Sequence, residues 1–583
     1  MLRTQPLSAL VLALLSSAGR ASADYPIASH RYLADPGSLV WKDRIYLYNS
    51  NDDDNPVEGG YEMKSIVCVS TTDLKNWTDH GVVFSVPADA PWAHHSWAPQ
   101  PVERDGTIYL YYGNNANGIG VATSTDPVAG FKDTRGSALV DSGTPGAAGT
   151  DIWLFDPGVL IDTDGKAYLA FGGNGENNAR LIQLGSDLLS VMAPATQLSP
   201  KGFFEASFLF RRNDIYYYAY SSDSNNGQRI DYLKSSSPLS GYTYGGIVAD
   251  QPPENGNNNH ASEFEYKGRW YHAYHNRIVA KTAGIADTYK RNLAIEVLDF
   301  NEDGSIKEVT YTSDGVPQVG ELNPYSRVEA ETTNAQNGIE TEPCSAGGMN
   351  VTSSAQSAWI RVRGVDFGST GAKSFSASVA ATAAGAIEIH ADSASGPVIG
   401  KCDVPATGGA QTWATTTCDV TAATGVKDLV FAFQGSLGFD YWQFTPVDGG
   451  AGGGGAGGAG NAGGAAGASG GATTGGVPVS PGGASGAAGG VPATPTGGMP
   501  ASGGAGQVPT GGSNAAGAQA ATGGTATTAG GAPTANGGSA TTPSPSSDDG
   551  CTCALSPGAR ASSAPLALLA AAWLAARSRR RRR

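Results

Sequence analysis

Residues 35–50 read DPGSLVWKDRIYLYNS, which is a short apolar run, a polar turn pair and a second run rich in tyrosine. The same arrangement starts again at Trp97, Asp156, Glu205 and His260, at intervals of about 50 to 60 residues. Each interval has the size of one four-stranded propeller blade, and no long stretch of helical periodicity interrupts the series. The five copies therefore predict an all-β fold that begins with a five-bladed β-propeller.

The innermost strands of a propeller line its central channel, so equivalent positions of the five copies should face one another there. The first positions are Asp35, Trp97, Asp156, Glu205 and His260. An Asp before Pro or Gly is often only a turn or capping residue. Three acids in register at one channel mouth favour a functional site instead.

These residue types fit the hydrolysis of a glycosidic bond, which needs a carboxylic acid on one side of the sugar ring and a carboxylate on the other. A neighbouring negative charge raises the pKa of a carboxyl, so Asp156 should keep Glu205 protonated while Asp35 stays ionised. Trp97 offers an apolar face for a sugar ring. The net charge of -15 argues against nucleic acid and fits an uncharged polysaccharide.

Residues 25–320 resemble glycoside hydrolase family 43, whose members are inverting enzymes on a five-bladed propeller. The resemblance is carried by five motifs: Ala34-Asp35-Pro36, Trp97-Ala98-Pro99, Phe155-Asp156-Pro157, Phe204-Glu205-Ala206-Ser207 and Asn259-His260-Ala261-Ser262. It implies that Asp35 is the general base, that Glu205 is the general acid and that Asp156 orients and tunes the acid.

The resemblance also places two further side chains near the sugar, His260 and Arg291. His260 falls where the family often has a histidine close to a channel metal or water, and a purely structural imidazole is the alternative. We expect His272 and His275 to be packing residues. No organic cofactor is implied.

Family members remove arabinofuranose or xylose from plant cell-wall glycans, and residues 72–81 are similar to members that act on arabinoxylan. The resemblance thus favours an α-L-arabinofuranosidase that releases arabinose from arabinoxylan. A β-xylosidase, an endo-arabinanase and a non-catalytic surface carbohydrate-binding protein are the alternatives, together with a structural adhesin.

Residues 323–447 predict a separate β-sandwich of the jelly-roll kind, which resembles a family 6 carbohydrate-binding module. The motifs are Val328-Glu329-Ala330-Glu331, Val365-Asp366-Phe367-Gly368, Gln411-Thr412-Trp413 and Phe439-Asp440-Tyr441-Trp442. The resemblance implies a structural calcium on Glu329, Glu331 and Asp440, for which strand capping is the alternative reason. Ala410 and Gly438 replace residues that usually touch sugar, so this domain could bind weakly, bind by another face or brace the propeller.

The two ends of the chain carry targeting patterns. Residues 1–23 have the charged start, apolar run and A-x-A site of a signal peptide, with a buried first helix as the alternative. Residues 448–550 are a Gly/Ala/Ser/Thr/Pro-rich segment that predicts a disordered linker. Residues 551–583 resemble a MYXO-CTERM sorting tail with a short hydrophobic helix and an arginine cluster, and a disordered basic tail is the alternative. The propeller would then occupy residues 24–322 of a protein secreted and anchored at a bacterial cell surface.

In such an oxidising compartment Cys402 and Cys418 could form a disulfide, because they flank a short segment between strands. Cys68 lies in an apolar run and is expected to be a buried thiol.

Overall fold

The structure is a computed structural model that describes residues 26–447, apart from residues 57–59, 225–226, 256, 287, 354–356 and 422. Within this part the regular structure is almost entirely β, with one short α-helix, α1 (Ile278–Thr282). This confirms the predicted all-β fold. The predicted signal peptide, linker and C-terminal hydrophobic helix lie outside the described residues. No helix in the described part has the length and apolar character needed to cross a membrane.

Five antiparallel sheets follow one another along residues 33–307, and each is built mainly from consecutive strands. The blades are, in chain order, β1 (Leu33–Trp41), β2 (Arg44–Asn51), β3 (Ser65–Thr71) and β4 (Trp77–Ser85); β5 (Trp97–Arg104), β6 (Thr107–Gly113) and β7 (Ile119–Ser124); β8 (Gly158–Ile161), β9 (Ala167–Phe171), β10 (Ala179–Leu184) and β11 (Val191–Leu198); β12 (Phe203–Arg212), β13 (Ile215–Ser224), β14 (Gly227–Ser235) and β15 (Thr243–Ala249); β16 (Ala261–Tyr266), β17 (Arg269–Asn276), β18 (Asn292–Phe300) and β19 (Ile306–Lys307).

The first strands of the five blades form a closed ring. Each of β1, β5, β8, β12 and β16 contacts its neighbour, and β16 returns to contact β1. The start of the described chain also pairs with the last blade, through the bridge between Ile27 and Leu293. The predicted five-bladed propeller is therefore present, with the acids of blades one, three and four entering one ring.

A separate apolar cluster lies between each pair of adjacent blades, and this explains the tyrosine that recurs in the repeat. Tyr48 of blade one and Tyr112 of blade two share one cluster, and Tyr168 of blade three and Tyr218 of blade four share another. Burial of one such large side chain stabilises the fold by about 1.5–3 kcal/mol. Successive side chains of a strand point to opposite faces of the sheet, so each blade can pack against both of its neighbours, while the polar turns lie outside these clusters.

Two-residue turns join the first and second strands of several blades. Lys42 and Asp43 both adopt the left-handed region, with φ of 49° and 60°, and Lys267 and Gly268 do the same at 48° and 77°. Turns with two positive φ angles match the right-handed twist of the strands that they connect. These turn pairs could be found in the sequence because they stand between alternating apolar runs.

The remaining described residues form a β-sandwich of two sheets. Its strands are β20 (Val328–Glu329), β22 (Ala335–Asn337), β23 (Ile339–Pro343), β24 (Met349–Ser353), β25 (Trp359–Asp366), β26 (Ala372–Ala380), β27 (Gly385–Ala391), β28 (Val398–Val404), β29 (Ala414–Asp419), β30 (Val426–Gln434) and β31 (Leu437–Pro446). One more strand, β21 (Thr332–Thr333), lies between β20 and β22 in the chain. One sheet has the order β23-β24-β31-β26-β29 with β20 beside β31, and the other has the order β22-β25-β30-β27-β28. Cys402 on β28 and Cys418 on β29 form a disulfide that joins the two sheets, as predicted.

The sandwich is joined to the propeller by main-chain pairing. Strand β21 does not enter either sandwich sheet but extends the first blade, where Thr332 pairs with Thr78 and Thr333 with Trp77. Nearby, the Asn76 side chain donates to the carbonyl of Arg363 at 2.8 Å and accepts from its N–H at 2.7 Å. The two domains are therefore one continuous structure at this edge.

Asp79 is the charged centre of the joint. Its Oδ2 accepts from Arg31 Nε at 2.6 Å and from Thr341 Oγ1 at 2.7 Å, and it lies 2.9 Å from His30 Nε2. Burial by itself raises the pKa of Asp79, but the His30 and Arg31 contacts outweigh it and hold the pKa well below its usual range. Asp79 therefore ties the start of the described chain, blade one and the sandwich together as an ionised carboxylate.

We predict that Asp79→Asn destabilises the protein, because an amide N–H would replace an acceptor that is buried among donors. The free energy of unfolding, measured by urea titration, should fall by about 1–3 kcal/mol. Asp164→Asn is the matched control, since Asp164 is half exposed and pairs only with Lys166 on the surface. It should change the free energy by less than about 0.5 kcal/mol, and equal losses in the two variants would contradict the role of Asp79.

Candidate active site

Four of the five inner strands have a residue in the left-handed conformation at or near their start. The residues in this conformation are Asp35, Ala98, Asp156 and Ala206, with φ of 51°, 44°, 50° and 60°. The pairing of β1, β5 and β12 with the next strand shifts register at this point, which is the mark of a β-bulge. A bulge re-aims the neighbouring side chain, and here it does so at the start of the inner strand.

The backbone shows that the predicted alignment of the five copies is off by one residue for some of them. Asp35 and Asp156 themselves occupy the left-handed position, whereas Trp97 and Glu205 stand one residue before it. The acids therefore come from two adjacent positions of the repeat and not from one. The alignment of the five copies could not show this, because a bulge adds one residue without changing the strands on either side of it.

Two glycines let neighbouring inner strands approach closely behind the acids. A Cβ on Gly37 would lie 1.9 Å from the carbonyl oxygen of Pro99, and one on Gly158 would lie 2.3 Å from that of Ser207. Each glycine follows Asp-Pro in its own copy of the repeat. Any side chain at either glycine would push its inner strand away from the inner strand of the adjacent blade.

Asp35 lies at the centre of a buried hydrogen-bonding network. Its Oδ1 accepts from Arg291 Nη1 at 2.7 Å and lies 3.3 Å from His275 Nδ1 and 3.7 Å from His260 Nδ1. Burial alone raises the pKa of Asp35, but its charged and polar neighbours, led by the Arg291 guanidinium, outweigh burial and hold the pKa well below its usual range. Asp35 is therefore an ionised carboxylate, as a general base requires.

Glu205 and Asp156 have the opposite electrostatics. Burial, followed by the charges of Asp156 and Asp35, raises the pKa of Glu205 well above its usual value. Burial and the Asp35 charge also raise the pKa of Asp156, while the Ala206 N–H donates to its Oδ2 at 2.9 Å and favours the ionised form. Because Asp156 has this main-chain donor, we assign the proton of the pair to Glu205.

The predicted substrate-binding residues lie at different depths around these acids. Trp97 is partly exposed at the start of β5, with its ring 6.2 Å from that of Tyr61 and 5.3 Å from that of His95. His260 lies between Asp35 and Asp156, with Nδ1 4.0 Å from Asp156 Oδ2, and burial lowers its pKa so that it is neutral. Arg291 is only 1% exposed, and its side chain donates directly to Asp35. It therefore acts on the carboxylate that we assign as the base.

His275 is a correction, because the sequence placed it among the packing residues. Its Nδ1 accepts the main-chain N–H of Asp35 at 3.2 Å, and its Nε2 donates to the carbonyl of Asn258 at 3.1 Å. Burial lowers the pKa of His275 to about 4, so the imidazole is neutral. His272 has the predicted core position, fully buried with Nδ1 3.0 Å from Glu263 Oε1.

Asn258, Arg277 and Asp52 belong to the site although the sequence did not single them out. Asn258 Oδ1 accepts from Arg277 Nη2 at 2.9 Å, and its side chain also hydrogen-bonds to Glu205. Asp52 accepts from Arg291 through both carboxylate oxygens. Their signals in the sequence are weak, since Asn258 merely precedes the motif that contains His260 and Asp52 lies in a run of three aspartates.

The predicted calcium ligands of the sandwich are only partly assembled. Oε2 of Glu331 and Oδ1 of Asp440 are buried without a hydrogen-bond partner, which is the environment that a cation would satisfy. Glu329 instead accepts two hydrogen bonds from Arg327, each at 2.8 Å. In the described ranges no group of three or more His, Cys, Asp or Glu side chains has an arrangement suited to a metal ion.

Ala410 and Gly438, the two positions that differ from the family pattern, lie close together at the loop end of the sandwich. A Cβ on Gly438 would lie 3.0 Å from Trp413 Cη2 and 3.3 Å from the carbonyl oxygen of Ala410. The Trp413 indole N–H donates to Ser345 Oγ at 3.0 Å, which holds the ring in this place. The small residue at 438 therefore makes room for the tryptophan.

Comparison with known proteins agrees with both domains. The model of glycosyl hydrolases family 43 matches residues 23–306, and that of the family 6 carbohydrate-binding module matches residues 329–446. An arabinoxylan arabinofuranohydrolase of Paenibacillus polymyxa is 38% identical over 475 residues, which are 73% of this chain and 75% of that protein. The arabinoxylan arabinofuranohydrolase of Bacillus subtilis (strain 168) is 38% identical over 474 residues, which are 72% of this chain and 92% of that protein.

A solved structure shows the same architecture. It is the crystal structure of a family 43 arabinoxylan arabinofuranohydrolase from Bacillus subtilis in complex with cellotetraose, with a TM-score of 0.69 and 37% identity. The match covers 73% of this chain and 98% of that one. The five-bladed ring, the buried acids at its centre and these similarities together show that the chain belongs to glycoside hydrolase family 43.

Proposed function

We propose that this protein is an inverting glycosidase that removes α-L-arabinofuranosyl groups from arabinoxylan. The observation that carries the proposal is that Asp35 and Glu205 are buried in one ring and that Arg291 donates to Asp35, an arrangement that lowers the pKa of Asp35 while burial raises that of Glu205. The two carboxyls belong to blades one and four, which do not adjoin in the ring of five. The arabinoxylan substrate is supported by the two relatives that match over most of the chain, both of which are arabinoxylan arabinofuranohydrolases.

The chemistry divides between the two carboxyls. Asp35 takes a proton from a water molecule while the water oxygen bonds to the anomeric carbon. Glu205 gives its proton to the glycosidic oxygen while the bond between that oxygen and the anomeric carbon breaks. Inversion follows because the water and the leaving group lie on opposite faces of the sugar. Arg291 favours the ionised form of Asp35, and the charge of Asp156 favours the protonated form of Glu205.

We predict that Asp156→Asn moves the basic limb of the pH profile of kcat/KM to lower pH. The Asp156 charge raises the pKa of Glu205, so its removal lowers that pKa and the acid loses its proton earlier as the pH rises. The profile is measured with an aryl glycoside that the wild type hydrolyses. A basic limb that stays in place, or moves to higher pH, would show that Asp156 does not tune the acid.

We predict that wild-type protein releases arabinose from arabinoxylan and from an aryl α-L-arabinofuranoside, and that Glu205→Ala lowers kcat on arabinoxylan by at least about 10²-fold. Glu265→Ala is the matched control, since Glu265 is exposed on β16. Its kcat should equal that of the wild type.

The same assay distinguishes the alternatives. Release of xylose from an aryl β-xyloside, without arabinose, would identify a β-xylosidase. Cleavage of arabinan alone would identify an endo-arabinanase. Binding of these glycans with no turnover would identify a carbohydrate-binding protein.

We also propose that the sandwich braces the propeller more than it binds sugar by the cleft at its loop end. Strand β21 completes the edge of the first blade, and Asp79 binds groups from the start of the described chain and from the sandwich. At the loop end, Trp413 lies over Gly438, where related modules usually have a residue that contacts sugar. These contacts support the bracing role.

A structural calcium in the sandwich is a further proposal, held by Glu331 and Asp440, with Glu329 able to join when it leaves Arg327. The support is the pair of buried oxygens that accept no hydrogen bond, although Asp440 Oδ1 lies 3.6 Å from Arg327 Nη2, together with the pKa of Glu331, which burial and neighbouring carboxylates raise. A metal in the propeller channel stays a prediction whose ligands are not identified.

We predict that millimolar calcium raises the thermal midpoint of the protein and that chelation reverses the rise. Asp440→Ala should abolish the response, whereas Glu340→Ala, at an exposed position of β23, should retain it. A midpoint that is indifferent to calcium in the wild type would contradict the site.

Finally, we propose that residues 1–23 direct export and that residues 551–583 anchor the protein at the bacterial surface. The Cys402–Cys418 disulfide supports an oxidising compartment. Protease treatment of intact cells should remove the protein, and full protection would contradict surface display.

A further inference from the structure

Arg291 contacts two carboxylates at once, and only one of them belongs to the reacting groups. On one side its Nη1 donates to Asp35 Oδ1 at 2.7 Å. On the other side its Nε donates to Asp52 Oδ2 and its Nη2 to Asp52 Oδ1, each at 2.8 Å. Asp52 is fully buried and therefore cannot exchange these contacts for water.

The fork between Arg291 and Asp52 fixes the plane of the guanidinium. Two parallel N–H donors on the two oxygens of one carboxylate leave almost no freedom of rotation. The main-chain N–H of Arg291 also donates to Asp52 Oδ2 at 2.8 Å, so the residue is held at both ends of its side chain. While both hydrogen bonds to Asp52 are made, the N–H groups of Nη1 can point in only one direction, which is toward Asp35.

Asp52 is itself held rigidly. Its N–H donates to the carbonyl of Tyr32 at 2.9 Å, and Asn55 Nδ2 donates to its Oδ1 at 3.2 Å. The ring of Tyr61 covers the guanidinium at 5.0 Å and keeps water from its open face. Asp52 does not contact Asp35, Asp156 or Glu205 in any hydrogen bond or ion pair of the described residues.

We propose that Asp52 is a positioning residue for the hydrolytic reaction, which acts through Arg291 to hold the base Asp35 in place. The inference rests on the proposed function, because it assumes that Asp35 is the base of a glycosidase. Asn in place of Asp52 would turn an amide N–H toward the N–H groups of Arg291. The guanidinium would lose one arm of its fork and with it the fixed direction of Nη1.

The kinetic test compares Asp52→Asn, Arg291→Lys and the double variant on an aryl glycoside that the wild type hydrolyses. Asp52→Asn should lower kcat on the order of 10²-fold with KM nearly unchanged, because misplacement of a reacting group acts on the chemical step. If Asp52 acts only through Arg291, the double variant should be no slower than Arg291→Lys alone. Asp52→Glu, which keeps the carboxylate, should recover part of kcat.

Asp79→Asn is the matched control, since Asp79 is another buried aspartate that accepts from an arginine Nε in the same domain. It should lower stability and leave kcat and the pH profile unchanged. A wild-type kcat in Asp52→Asn, or effects of Asp52→Asn and Arg291→Lys that multiply in the double variant, would overturn the proposal.

A second measurement does not depend on turnover. The carboxyl ¹³C signal of Asp35, assigned by its loss in Asp35→Asn, gives the pKa of Asp35 in the wild type and in Asp52→Asn. The charged and titratable groups around Asp35 are Arg291, His275, His260, Asp156, Glu205 and Tyr61. None of them is changed by the substitution.

The sign of the change in this pKa is decisive. Removal of the Asp52 charge alone would lower the pKa of Asp35, whereas loss of the Arg291 contact would raise it. The proposal expects a rise, and an unchanged or lower pKa would overturn it. If the wild type hydrolyses none of the glycosides, the proposed function fails while this measurement still tests Asp52.

Discussion

The buried guanidinium of Arg291 allows several carboxylates to share the centre of the propeller. Asp35, Asp156 and Glu205 are each less than a tenth exposed, and unpaired charges in such a place would cost several kcal/mol. Arg291 offsets this cost for Asp35 and Asp52, which it contacts directly. Its charge acts on Glu205 and Asp156 only from a distance, so burial dominates at those two carboxyls. The division into one base and one acid follows from where this cation is placed.

The position of Arg291 depends in turn on the closure of the ring. The residue directly precedes β18 in the last blade, while Asp35 and Asp52 lie at the start of β1 and just after β2 in the first blade. These segments meet because the last blade packs against the first, through contacts of β1 with β16, β17 and β18 and the pairing of Ile27 with Leu293. Blade packing through large aromatic clusters therefore supports the catalytic geometry as well as the fold.

The sequence by itself determined the features that repeat or that lie within a few residues. The five copies predicted five blades, the turn pairs marked the hairpins, and the Asp-Pro and Glu-Ala-Ser motifs located the three acids. Cys402 and Cys418 could be paired because the segment between them is short. Each of these signals is local, since a strand period, a turn or a motif is complete within one stretch of chain.

Only the tertiary structure decided which distant side chains meet. His275 and Arg291 reach Asp35 from more than two hundred residues away, and their neighbours in the sequence do not indicate this contact. The left-handed position, which Asp35 occupies and Glu205 precedes by one residue, became visible only in the backbone of the folded chain. The contact between Asp52 and Arg291 likewise forms only when the first and last blades close. The reason is physical: charge pairing in a buried site depends on distance in space, which the order of residues along the chain does not contain.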